Sequence, residues 1–195
     1  MHFSAGDFVV EKAIIATVYA SDMTEQDISG DILQHTIYGS CRTPVQDPEF
    51  ALHQLVEIAL RALSPGINDP YTAITCIDKL CAVLCSLTDK TFPASNVRSD
   101  GVLRLVCKEL TFTDIAKAAF DQIRQHGETN LAVTIKILDS LYVLAVQAKY
   151  EEQYNFILVQ TEMITQQQAK QPLSDHDRAE LVRRIEKITV NTNGY

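Results

Sequence analysis

Glycine and proline, the two residues that most often interrupt secondary structure, are scarce in this sequence. It has 7 Gly and 6 Pro among 195 residues. Long flexible linkers are rich in these residues, so none is expected here. Hydrophobic residues make up 46% of the chain and charged residues 22%. This balance is typical of a folded globular protein and argues against disorder as the main state.

Positive charge is also scarce. Lys and Arg together number 17 against 25 Asp and Glu, which gives a net charge of −8. The longest basic run is the pair Arg183-Arg184. An acidic surface repels nucleic acid and anionic lipid headgroups, so no nucleic-acid partner is predicted.

Long apolar runs are missing as well. No segment reaches the roughly 20 uninterrupted apolar residues that a membrane span requires. Residues 131–148 come nearest, and Lys136, Asp139 and Gln147 interrupt them. The chain does not open with the charged and then apolar pattern of a signal peptide. Taken as it stands, the sequence predicts a soluble piece of protein.

The five cysteines are Cys41, Cys76, Cys81, Cys85 and Cys107. An odd number leaves at least one thiol free, and four of the five lie in apolar patterns, where Cys acts as a small hydrophobic residue. A reducing compartment therefore fits better than a disulfide framework. A metal site at residues 76–85 is the alternative. No His joins these thiols, so we predict core packing, no metal site and no cofactor.

Catalytic signatures are absent from the sequence. It contains no Gly-rich phosphate loop, no His-Glu-x-x-His pair and no nucleophile elbow. His53 and Glu57 share a helix face, but a solvated polar row explains them better than a metal site. We therefore nominate no catalytic residue, and the sequence does not favour an enzyme.

The first 38 residues predict a small β element. Residues 8–10 and 13–19 are rich in β-branched and aromatic side chains, which favours two strands around a turn at Glu11-Lys12. Residues 36–38 predict a third strand, and residues 24–34 a short helix before it. An isolated hairpin is marginal in water, so these strands need another partner in the chain, in a second subunit or elsewhere in the protein.

The remaining residues, 39–195, predict a helical domain. Apolar spacing and capping residues indicate helices at 48–63, 70–87, 115–126, 130–148, 151–168 and 178–190. Residues 88–99 predict a loop, and residues 102–106 a short strand. The predicted fold is thus mainly α (α+β), with about six helices in a bundle of helical hairpins beside the small N-terminal β element.

The first two long helices are apolar on most sides, so their few polar residues must reach water or find partners. An antiparallel hairpin of these helices brings many of those residues towards the corner at residues 64–78. The predicted ligand-binding cluster consists of Arg42, Gln46, Asp47, Glu57, Arg61, Asn68, Asp69 and Asp78.

Two interpretations of this cluster remain open. In the first, Asp47 and Asp69 are helix N-caps ahead of a proline, and Glu57 and Arg61 form an ordinary ion pair. In the second, the corner binds a ligand. A cation or a polar neutral molecule then fits better than an anion, because Asp69 already occupies the helix N-terminus that would bind an anion.

The residues of this corner also resemble those of a known family. Residues 39–80 are similar to the C-terminal domain of the family called domain of unknown function 2254, which consists of predicted bacterial membrane proteins. The similar positions include Arg42-Thr43, Gln46-Asp47, the runs 54–59 and 61–70, and Asp78. Gly6-Asp7-Phe8-Val9 looks like the family's strand just after its membrane region. Ala51-Leu52-His53 departs from the pattern, where many members have Gly-Leu-Arg.

The resemblance implies a longer protein with several N-terminal membrane helices that anchor it in the bacterial inner membrane. This domain would then face the cytoplasm, in agreement with the free cysteines. The family brings no established activity, so the expected role is non-catalytic: assembly, gating or regulation within a homo-oligomer. The alternatives are a sensor of a small ligand or ion at the 64–78 corner, and a hydrolase that uses the clustered carboxylates.

Overall fold

The computed structural model describes residues 1–19, 28–44 and 47–192. These residues form seven helices and two strands. In chain order they are α1 (Ile28–Gln34), α2 (Pro48–Ala62), α3 (Pro70–Leu87), β1 (Asn96–Ser99), β2 (Val102–Val106), α4 (Phe112–His126), α5 (Leu131–Gln147), α6 (Glu151–Gln168) and α7 (Asp175–Thr192).

The mainly helical prediction is confirmed, with one helix more than the predicted number of about six. Helices α2 to α7 correspond to the six predicted after residue 39. The seventh is α1, which forms the second part of the short helix predicted at 24–34. The first residues of that prediction lie outside the described part of the chain.

Capping residues account for where most helices begin. Asp69 precedes Pro70 and accepts a hydrogen bond from the Thr72 N–H at 3.1 Å, as predicted. α4 begins three residues earlier than predicted, because Thr111 and Asp114 form a reciprocal capping box. α7 also begins three residues early, at Asp175. The preceding residue, Ser174, accepts a hydrogen bond from the Asp177 N–H at 3.2 Å through its hydroxyl.

The sheet is a two-stranded antiparallel hairpin of β1 and β2. The strand predicted at 102–106 is confirmed, whereas the loop predicted at 88–99 was wrong for its last four residues. Asp100 and Gly101 connect the strands with φ values of 52° and 76°. Two consecutive positive φ angles match the twist of a tight hairpin, so the turn pairs even the polar sequence of β1 with β2.

The strands predicted at 8–10, 13–19 and 36–38 were wrong, since none of the described residues before 39 lies in a strand. The turn at Glu11-Lys12 does form, with Lys12 at φ 69°, and the His2 N–H donates to the Ile15 carbonyl at 2.8 Å. Strand propensity reflects how well a side chain fits a sheet, and it does not supply the neighbouring strand. These segments form no ladder.

Backbone contacts divide the chain into two compact units. The first unit contains Met1–Phe50 and Pro93–Glu109, and therefore holds α1 and the hairpin. The second unit contains Ala51–Phe92 and Leu110–Tyr195, and holds α3 to α7 and most of α2. The division of the chain into residues 1–38 and 39–195 stays a prediction.

The hydrophobic core lies in the second unit. α5 is central, because its backbone approaches those of α3, α4, α6 and α7. The largest fully buried side chains come from α3 to α6 and include Ile77, Leu80, Phe112, Phe120, Ile137, Leu141, Leu144 and Ile157. Phe112 and Phe156 meet edge to face, with their ring centroids 6.3 Å apart.

The predicted antiparallel pairing of the first two long helices is not observed. α2 contributes Leu52, Val56, Ala59 and Ala62 to the core. In the described residues, however, the backbone of α2 does not come close to the backbone of α3. The apolar stripe of α3 packs against α5 and α4 instead.

Among the helices in the described residues, only α3 is long and apolar enough to cross a membrane, judged by length and hydropathy alone. The core helix of a globular domain passes the same test. Asp78 and Lys79 stand at the middle of α3 and are exposed, while Ile77 and Leu80 on its other side are buried. We therefore describe α3 as a core helix.

We expect Gly127→Ala to lower the free energy of unfolding by about 1–3 kcal/mol, because the added Cβ would be too close to atoms already packed around the end of α4. Gly127 ends α4, and an added Cβ would lie 2.6 Å from Val133 Cγ1 and 2.9 Å from the Ile123 carbonyl. Urea denaturation followed by circular dichroism measures the change. Gly66→Ala is the control, since no atom lies within 4 Å of its added Cβ. Equal losses in the two variants would contradict the prediction.

Candidate functional site

The most enclosed part of the predicted cluster is the ion pair of Arg42 and Asp47. The Arg42 Nε donates to Asp47 Oδ2 at 2.5 Å, and Nη2 donates to Oδ1 at 2.8 Å. This two-bond geometry is the strong form of an arginine–carboxylate pair. Asp47 is only 4% exposed, and its Oδ1 also accepts from the Phe50 N–H at 3.1 Å. Asp47 is thus the N-cap of α2, as predicted.

Neighbouring groups close around this pair. The guanidinium carbon of Arg42 lies 5.8 Å from the centre of the Phe50 ring, within range of a cation–π interaction. The hydrogen bond to Asp47 raises the pKa of Arg42 above its usual value. Gly6 approaches so closely that an added Cβ would overlap Asp47 Oδ2 and lie 2.9 Å from Arg42 Nε. The pair is therefore built as a structural contact within the first unit.

The next two members of the cluster, Glu57 and Arg61, pair along α2 as predicted. The ion pair is i,i+4 and both side chains are more than half exposed, at 62% and 71%. Solvent screens such a pair, so it contributes little to stability and leaves both groups accessible.

The remaining described members lie at α3. Asn68 adopts a left-handed φ of 49° in the turn before the helix. The Asp69 carboxylate accepts from the Thr72 hydroxyl at 2.5 Å and from the Thr72 N–H, and these hydrogen bonds lower its pKa. Asp78 forms an ion pair with Lys136 of α5. Gln46 lies outside the described residues.

These contacts bear on the structural, ligand-binding and hydrolase interpretations of the cluster. A carboxylate hydrolase needs two acids that act together, at least one of them with a shifted pKa. Here the described carboxylates each bond to a different group: Asp47 to Arg42, Glu57 to Arg61, Asp69 to Thr72 and Asp78 to Lys136. This arrangement weighs against hydrolysis. Ligand binding by the cluster stays a prediction.

Metal chemistry finds no support in the described ranges, where no three His, Cys, Asp or Glu side chains are grouped as ligands. Cys76 and Cys81 are buried in the core, Cys85 is half-buried, and all are free thiols. Burial, and then the neighbouring Cys85, raise the pKa of Cys81 to about 12.

We expect Cys41 to react fastest with a thiol reagent in the native protein, because its side chain is exposed. Cys81 should stay unreactive at pH 8, since a thiol with a pKa of about 12 holds almost no thiolate there. The measurement is the time course of Ellman's reagent with and without denaturant. Cys41→Ser should remove the fast phase, and a fast phase that survives this change would contradict the prediction.

Sequence reasoning missed a cleft between α5 and α7. Asp139, Tyr142, Arg183, Arg184 and Lys187 line it, and its volume is about 90 Å³. Two signals were present in the sequence: an aspartate inside the apolar run of α5, and three basic residues at spacings of one and three in α7. Neither signal shows by itself that the two helices pack together.

The first unit holds a second, more open cleft of about 290 Å³. Residues 2–3, 7–10 and 13–15 form it, and most of their side chains are apolar. The turn at Glu11-Lys12 lies between residues 7–10 and 13–15. Among the lining residues, Asp7 pairs with Lys108 at 4.0 Å, and most of the others are apolar, so the chemistry of the cleft is mainly that of an apolar surface.

Known proteins match this chain over most of its length. Residues 1–142 match the family described as "Predicted membrane protein (DUF2254)". Uncharacterized proteins of Mycobacterium bovis and of two strains of Mycobacterium tuberculosis are each 30% identical to it over 180 residues.

Each alignment with these relatives covers 89% of this chain and 34% of the relative, so the chain spans about a third of the length of the curated relatives it matches. No solved structure matches. The match of residues 1–142 covers well over half of the chain and includes the corner at 64–78, and this chain therefore belongs to the DUF2254 family of predicted membrane proteins.

Proposed function

We propose that this chain is the soluble C-terminal domain of a bacterial inner-membrane protein and that it faces the cytoplasm. Its proposed role is assembly or gating rather than catalysis. Membership of a family of predicted membrane proteins supports the anchor. The relatives are about three times as long as the aligned part, which leaves room for membrane helices elsewhere. Free, partly buried cysteines support a reducing compartment.

The observation that carries the assembly role is the exposure of large apolar side chains in the first unit. Ile37 is 94% exposed, Phe8 and Tyr19 are each 92% exposed, and Ile14 is 76% exposed. Burying one such side chain is worth about 1.5–3 kcal/mol, so a contact that covers several of them is strongly favourable. Phe8 and Ile14 both line the open cleft of this unit, and an exposed apolar patch of this kind marks an interaction site.

The hairpin of β1 and β2 supports the same role. All nine of its residues are exposed, so neither face of the sheet rests on a core. A two-stranded sheet is marginal in water, and its free edges can pair with a further strand. Most soluble oligomers are symmetric, with the same surface on both copies. We therefore propose a homo-oligomer whose copies meet through the first unit.

Sedimentation velocity at several concentrations, up to tens of micromolar, tests the homo-oligomer. We expect a reversible dimer or larger species that Ile37→Ser shifts towards the monomer. Val190→Ser is the matched control, because Val190 is also exposed, at 75%, but lies on α7 in the second unit. A monomer at every concentration would refute this part of the proposal, and so would equal effects of the two variants.

Thiol labelling in cells tests the orientation. Full-length protein that retains Cys41 as its only cysteine is treated with a membrane-impermeant maleimide. Cys41 is exposed, so labelling reports which side of the membrane it faces. We expect labelling only after the inner membrane is permeabilised. Labelling in intact spheroplasts would place the domain outside the cytoplasm.

The sensor alternative has less support from the corner at 64–78. Both oxygens of Asp69 are already engaged by Thr72, which leaves this carboxylate a poorer ligand for a cation. A thermal-shift screen against metal ions and polar metabolites tests the alternative. A compound that raises the melting temperature of the wild type, but not of Arg61→Ala or Asp69→Ala, would favour the sensor over assembly.

A further inference from the structure

The cleft between α5 and α7 differs in charge from the rest of this acidic protein. Three of its five lining residues are cationic, namely Arg183, Arg184 and Lys187, and one is anionic, Asp139. Glu180 lies beside them and pairs with both arginines. Counting Glu180, the local charge is +1 in a chain whose net charge is −8.

Arg184 holds the two helices together at this point. Its Nε donates to Asp139 Oδ1 at 2.8 Å across the helix–helix contact, and its Nη1 donates to Glu180 on its own helix. The side chain is only 21% exposed. Arg184 therefore neutralises Asp139 and fixes the floor of the cleft, and its own charge is largely satisfied.

Two other lining groups have no such partner. Neither the Lys187 ammonium nor the Tyr142 hydroxyl makes a hydrogen bond or ion pair with any described residue. Arg183 uses Nη2 for Glu180, and its side chain remains 60% exposed. An arginine has five N–H donors, so Arg183 keeps several of them for a further acceptor. The cleft thus combines an ammonium, a guanidinium and a hydroxyl that can all donate.

We propose that this cleft binds a phosphate group. The donors are those that recognise oxyanions, and the arginine and lysine supply the opposite charge. The cleft is small, at about 90 Å³, which suits one phosphate group rather than a whole nucleotide. The phosphate belongs either to a free compound or to a lipid headgroup. This inference does not depend on the proposed assembly role.

Two binding measurements distinguish the sources. Isothermal titration with inorganic phosphate and with pyrophosphate at low ionic strength tests the free compound. Co-sedimentation with vesicles of phosphatidylglycerol and phosphatidylethanolamine, compared with vesicles of phosphatidylcholine alone, tests the lipid headgroup. Binding in the titration supports a free phosphate compound, and binding only to the anionic vesicles supports a lipid headgroup.

Variants locate the binding in the cleft. Lys187→Gln should weaken it by about fivefold or more, and Tyr142→Phe by about two- to fivefold, because each removes one donor to the phosphate. Both variants should fold normally, since neither group bonds to another residue. Lys117→Gln is the matched control, an exposed lysine without an ion pair on α4. The proposal is overturned if neither measurement detects binding, or if Lys187→Gln and Lys117→Gln have the same effect.

Discussion

Phe120→Ala is expected to lower the free energy of unfolding of the helical core by about 3–5 kcal/mol. Phe120 lies on α4, and its side chain is completely buried. Truncation to Ala removes the apolar contacts of the ring and leaves a cavity that rigid neighbouring helices fill only in part. Because small domains are stable by only about 5–15 kcal/mol, this loss is a large share of the total.

Urea denaturation followed by the circular dichroism of the helices measures this loss. Phe8→Ala makes the same chemical change at a side chain that is 92% exposed, and should alter the unfolding of the core by less than about 0.5 kcal/mol. Dilute protein is needed for this control, because Phe8 belongs to the surface through which we propose that copies associate. A loss of less than about 1 kcal/mol for Phe120→Ala would fall below the usual range for core truncations. Such a result would mean that Phe120 is not a core residue.

The second large effect is expected from Arg42→Ala, which should destabilise the first unit by about 2–3 kcal/mol. Breaking a buried ion pair costs about 3–5 kcal/mol, because the remaining charge has no partner and little water. Asp47 is 4% exposed, but Arg42 is 34% exposed, so solvent reduces the expected loss. Hydrogen exchange measured by mass spectrometry should show faster exchange in residues 1–19 and at the start of α2.

Arg61→Ala provides the matched control for Arg42→Ala. It also removes an arginine from a pair with a carboxylate, but both partners are largely exposed, so the loss should stay below about 0.5 kcal/mol. Gly6→Ala provides an independent test, since its Cβ would overlap Asp47 Oδ2 and its φ of +88° disfavours any side chain. If Arg42→Ala and Gly6→Ala left exchange in residues 1–19 unchanged, the pair would not stabilise the unit.

Helices were the part of the fold that sequence reasoning predicted well. A helix depends on interactions between residues up to four positions apart, and residues such as Asp69 and Asn130 bond to backbone N–H groups within the next turn. The missed boundaries have local causes too. The start of α4 follows from Thr111 and Asp114, whose capping-box pattern is visible in the sequence and places the start three residues before the predicted one.

The strands show the opposite behaviour. Residues 13–19 have a stronger strand composition than β1, yet only β1 forms a ladder. The Asp100-Gly101 turn folds β1 back onto β2, and no equivalent pairing is available to the earlier segments within the described residues. Strand formation requires a partner, and residue preferences do not specify one.

The sequence alone determined the helical class, the capping residues, the Glu57–Arg61 pair and the family, because each depends on residues that are close in the chain or on a motif that can be recognised there. Only the tertiary structure decided that α3 packs against α5, that Gly6 closes over Arg42 and Asp47, and that Arg184 meets Asp139 to form the floor of a basic cleft. These contacts join residues at least 36 positions apart, and those between helices depend on how whole helices pack.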